Sequence, residues 1–137
     1  DDHTGKELFS DEVSTTTKSG FEQDGINTIS FAPLDVDTAA AMTRVWYSGD
    51  TITEFDVVFN SNREFGVDPD GEGPRTIDEF DLQAIATHEA GHALGLMDLE
   101  DSDYSEMTMY YSSDPGSTIK ISLESGDIAG LHELYGE

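Results

Sequence analysis

The sequence predicts an α+β fold, and three observations carry that prediction. Strand-like patterns are confined to residues before about 60, a helical pattern follows a stretch dense in Gly and Pro, and a second helical pattern closes the chain. Strands grouped ahead of helices, instead of alternating with them, separate α+β from α/β architectures. At 137 residues the chain is sized for one domain spanning 1–137, and 36% hydrophobic content with seven Phe and five Tyr suffices for a core.

Residues 1–23 are rich in Ser, Thr, Asp, Glu and Gly, with Leu8, Phe9, Val13 and Phe21 as the large apolar residues, and read as an irregular N-terminal segment. Polar and apolar residues alternate over 27–32, and β-branched and aromatic residues dominate 44–47 and 52–59, which gives three strands. Residues 67–74 are turn chemistry throughout. A helix is expected to start near Asp78 as N-cap, with Asp81 in its first turn and Leu82, Ile85, Ala86, Ala90 and Ala93 at helical spacing. Gly95 stands where a helix C-cap belongs. An acidic loop over 98–106 leads to an apolar, aromatic turn at 107–111. A last helix over about 124–135 places Ile128, Leu131 and Leu134 on one face.

Thirty acidic against six basic residues give a net charge of −24, which repels nucleic-acid phosphates and anionic lipid. Neither a nucleic-acid nor a membrane role is expected. With no Cys, any metal must be held by His, carboxylate or carbonyl groups. The start lacks the basic and apolar regions of a signal peptide, so the chain reads as a mature or trimmed product.

The informative segment runs from His88 to Asp98. On a helix, His88 and His92 stand one turn apart on the same face and can both offer imidazole nitrogen to one zinc ion. Glu89 is angled beside that position, where a base for water belongs. Gly95 allows a left-handed exit, which can return Asp98 as a third ligand and leave a fourth position for water. The plain alternative for a bare His-Glu-x-x-His is a polar helix face. Asp101 and Asp103 compete with Asp98, while Glu106 or Glu124 would serve as third ligand in another kind of zinc enzyme. A non-catalytic metal module is the rival from a different class.

The spacing His-Glu-x-x-His-x-x-Gly-x-x-Asp resembles the extended zinc motif of metzincin peptidases, with Asp in place of the commoner third His, as in the snapalysin-type branch. The run from Met107 to Tyr111 resembles their Met-turn, with Met109 as its methionine, and the tail from Leu123 to Gly136 resembles the closing helix of matrixin-like domains. Residues 24–31 and 54–60 look like matrixin strand segments. The resemblance implies a twisted, mostly parallel mixed sheet packed on an active-site helix, with a C-terminal helix below the cleft. It also implies a secreted, monomeric zinc endopeptidase. Its single catalytic zinc would be held by His88, His92 and Asp98, with Glu89 as general base and acid acting on metal-activated water. Tyr111 matches the place where astacins and serralysins set a metal-proximal Tyr that can stabilise the oxyanion. The peptide substrate is expected as an added strand along residues 60–65. Such domains usually begin with a strand and a long helix, and nothing before residue 24 shows that periodicity. Only His3 and His132 lie outside the motif, so no second zinc is expected. Asp68, Asp70 and Glu72 form a calcium candidate, with a solvated acidic loop as the plain alternative. The charge further suggests a salt-requiring, halophilic protein.

Overall fold

A two-residue turn at Gly49 and Asp50 joins the longest strands of the chain, β2 (Ala41–Ser48) and β3 (Thr51–Asn60), into an antiparallel hairpin. The computed structural model describes residues 4–10, 12–36, 38–67, 73–74 and 76–136. β1 (Thr28–Ala32) pairs parallel with β3, from Thr28 opposite Asp56 to Ala32 opposite Asn60, so the sheet order is β1-β3-β2. A short parallel pair, β4 (Phe65–Gly66) with β5 (Phe80–Asp81), precedes α1 (Leu82–Ala93), and α2 (Ser125–Tyr135) closes the chain. The mixed sheet with two helices is the α+β architecture read from the sequence, and all three expected strands form, the first starting one residue later and the other two with longer bounds.

Alternation along β3 sends its residues to two different environments. Phe55, Val57 and Phe59 face α1, where Val57, Phe59 and Ile85 form the buried core, with Leu82, Phe65 and Phe80 packed against it. A chain of ring contacts, Phe31 to Phe59 at 5.2 Å and Phe59 to Phe65 at 5.5 Å, continues this layer towards β1. Glu54 and Asp56 point the other way and are buried, yet neither forms an ion pair among the described residues. Their oxygens accept main-chain N–H groups instead: Glu54 from Asp24 and Gly25 at 2.8 and 2.9 Å, Asp56 from Glu22 and Thr28, both at 3.0 Å. These bonds fasten the segment before β1, which carries no helix or strand over its described residues. Phe9 meets Phe55 edge-on at 6.0 Å, and Arg44 stacks over Phe21.

The start of α1 differs from the expectation. Asp81 is the N-cap, accepting from Ala84 N at 2.7 Å, because residues 80 and 81 are drawn into pairing with β4 and the helix begins only after them. Ala86 is exposed, and the buried face of α1 instead carries His88 and Glu89 beside Ala84, Ile85, Gly91 and Ala93. In α2, Glu124 is the N-cap and shares a capping box with Asp127, and Leu131 is buried while Leu134 is exposed. No helix among the described residues is long and apolar enough to cross a membrane.

Candidate metal centre and cleft

Helix α1 ends in a motif that needs a left-handed residue, and Gly95 supplies it at φ +90°. Gly95 N donates to His92 O and Leu96 N to Gly91 O, which turns the chain sharply back along the helix. The reversal has two effects on the site. It brings Leu96 O within 2.9 Å of His92 Nδ1, and it directs the chain through Asp98 to Leu99, whose N donates to Met109 O and whose O accepts from Tyr111 N. Asp98 is thus carried between a helix end and a pinned backbone bridge.

His88 Nδ1 donates to Thr108 O at 2.7 Å, as His92 Nδ1 does to Leu96 O. With both Nδ1 protons engaged by carbonyls, each neutral ring leaves a bare lone pair on Nε2. Burial, helped by the nearby Lys120 ammonium, pushes His88 down to about 4, so its ring is neutral at neutral pH. The two Nε2 atoms lie 3.2 Å apart, and Asp98 Oδ1 is 3.4 Å from each. A tetrahedral zinc with bonds of about 2.0 to 2.1 Å separates its ligand atoms by about 3.3 to 3.4 Å. Three acceptors in a triangle of that size fit the ion in both dimension and donor chemistry.

The triangle opens on a cleft of about 580 Å³ whose other wall is β2 and the residues leading into it, from Thr38 to Thr43 with Val45 and Tyr47. Glu89 lines the cleft and is itself 4% exposed. Burial pushes its carboxyl up from the ordinary range, and the Thr43 hydroxyl, donating to Oε2 at 2.6 Å, opposes that shift. Below the helix, Met109 is buried against Gly91: a Cβ there would stand 2.2 Å from Met109 Sδ. Asp127 holds this turn from α2, accepting from Thr108 N at 2.9 Å and Met109 N at 3.0 Å. Lys120 is 4% exposed, donates to Tyr110 O, and is lowered to about 8 by burial.

His88, His92, Asp98, Glu89 and Tyr111 therefore border one cleft, with Met109 packed behind the helix. Asp101 caps the 3-10 turn Ser102–Tyr104, and Glu124 caps α2, so neither stands in the metal-competent cluster, nor do Asp103 or Glu106. The calcium candidate Asp68, Asp70 and Glu72, and His3, lie outside the described residues. The substrate edge at 60–65 is corrected. Asn60 ends the central strand, is 1% exposed, and spends its side chain on Ala39 O and Leu34 N, whereas the strand bordering the cleft is β2. Thr43, Asp127 and Lys120 were not singled out from the sequence. The one available signal was that Lys120 is the only Lys or Arg after Arg75.

Among proteins that hold a metal through two histidines of one helix, metzincin metallopeptidase domains end that helix at a glycine and close the site from below with a methionine turn. This chain is built in that way. The matrixin family profile matches residues 8–136, and the chain belongs to the matrixin family. It is 31% identical over 148 aligned residues to Metalloendoproteinase 1-MMP of Arabidopsis thaliana, covering 94% of this chain and 39% of that protein. It is 42% identical over 57 residues to Metalloendoproteinase 1 of Glycine max, covering 42% of this chain and 17% of that protein. The chain thus spans well under half the length of either relative. The family implies zinc as the metal.

Proposed function

We propose that residues 1–137 act as one catalytic unit, a secreted endopeptidase that holds a single zinc through His88, His92 and Asp98. The observation that carries this reading is the triangle of His88 Nε2, His92 Nε2 and Asp98 Oδ1 on the floor of a cleft that also contains the buried carboxylate of Glu89. Zinc, when bound, supplies a Lewis acid that polarises the scissile carbonyl and acidifies water. Glu89 takes a proton from the attacking water on its carboxylate and returns it to the departing amine, and Thr43 keeps that carboxylate aimed and ionised. Tyr111 donates a hydrogen bond to the carbonyl oxygen as charge builds on it. The substrate lies extended along β2, whose far edge has no strand partner among the described residues.

A metal that merely staples the fold is the competing reading. The buried Glu89 beside an open cleft favours catalysis, since a structural site has no use for a base. Glu89→Ala separates the two. Zinc content by elemental analysis should stay near one per chain while hydrolysis of a mixed peptide library is lost. Substantial residual hydrolysis would remove Glu89 from the mechanism.

A further inference from the structure

A buried lysine in a protein of net charge −24 has abundant surface carboxylate to pair with, yet Lys120 is turned inward, behind the metal-competent cluster. It is the one buried Lys or Arg among the described residues. Its Nζ donates to Tyr110 O and lies 3.4 Å from His88 Nδ1, the nitrogen that already donates to Thr108 O. In a histidine-held metal site the usual neighbour of the second ring nitrogen is a carboxylate or carbonyl, which makes the ring a better electron donor. An ammonium at the same nitrogen acts in the opposite sense. It draws density from the ring and repels any cation held on its far side. Filling the space does not require a charge, because an apolar side chain of the same length would pack there without the desolvation cost.

We propose that Lys120 is a positioning residue that acts through His88: an ammonium held behind the ring that loosens the hold on the metal and keeps the metal electron-poor towards substrate. The proposal rests on the reading of His88 as a ligand. It predicts that the site binds zinc less tightly than its donor set allows, in exchange for a stronger pull on the scissile carbonyl.

The test compares the full chain with Lys120→Met, Lys120→Gln and Lys120→Arg by zinc competition against a chromophoric chelator at neutral pH. Both neutral variants should bind zinc at least about tenfold tighter, and Lys120→Arg should stay within about threefold of the parent. The glutamine variant retains a donor for Tyr110 O, so it reports on charge even where the methionine variant folds poorly. In peptide hydrolysis the neutral variants should lose kcat with little change in KM, a split that a general loosening of the fold would not give. Zinc affinity that is unchanged or weaker in a folded neutral variant overturns the proposal. Failure of the underlying site is seen separately, as a His88→Ala protein that still binds zinc like the parent.

Discussion

Gly91 lies between the two histidines and packs against Met109 of the methionine turn, so Gly91→Ala puts the packing beneath the site to a quantitative test. The added Cβ would stand 2.2 Å from Met109 Sδ and 3.1 Å from its Cε. Contact distances near 3.5 to 4.0 Å require the sulfur to retreat by more than about 1 Å, inside a side chain that is only 2% exposed. Overpacking of that kind costs about 1 to 3 kcal/mol. Against it stands the helix-interior preference for Ala over Gly, about 0.8 to 1.0 kcal/mol. The net expectation is a destabilisation of about 1 kcal/mol. In a Met109→Ala background the clash is absent, and the same substitution should stabilise by up to about 1 kcal/mol. Denaturant unfolding of the four proteins, with zinc present and with it removed by chelator, gives the coupling directly. A coupling under about 0.5 kcal/mol, with Gly91→Ala stabilising in both backgrounds, would refute the packing argument.

Asp98→Ala should lower the chelator concentration that halves activity far more than Asp101→Ala or Asp103→Ala, because only Asp98 completes the triangle; equal effects would point to another third ligand. Thr43→Val removes the hydroxyl that holds the Glu89 carboxyl down, leaving burial to push it further up. The base is then ionised over a narrower range, and the acid limb of kcat/KM should move to higher pH. An unmoved limb would show that another group sets it. Thermal unfolding should move to higher temperature as chloride rises from about 0.1 to about 2 M, since screening relieves the self-repulsion of a −24 chain. A flat or falling curve at fixed calcium would exclude a halophilic protein.

What the sequence made legible was local. The two histidines, Glu89, Gly95 and Asp98 fall within eleven consecutive residues, so helix geometry and one left-handed turn nearly determine their relation. The strands were equally visible because each carries its own local signal, alternation over 27–32 and β-branched and aromatic residues over 44–47 and 52–59. Everything that depended on pairing across the chain was not. Asp78 and Asp81 are equivalent as caps by residue type, and the choice was made by β4 pairing with the two residues ahead of the helix. Thr43 reaches Glu89 across 46 positions, and Asp127 reaches Met109 across 18, so neither has a signature in spacing. The substrate edge was misjudged for the same reason: strand order, which leaves β2 and not the end of β3 facing the cleft, is a property of the sheet.

The two inward carboxylates of β3 also bear on how freely this protein can change. Glu54 and Asp56 recognise the segment ahead of β1 chiefly by its peptide N–H groups, which every residue but proline presents alike. Substitutions at Glu22 or Gln23 should therefore pass with little effect on how that segment is held. A proline at Glu22 or Asp24, or loss of either acid, strands a buried group without its partner. The two sides of the contact thus face different pressures, with the information stored in two strand residues and the loop written mainly at Asp24, which holds Ile26 N, and Gly25, whose φ of +80° favours glycine.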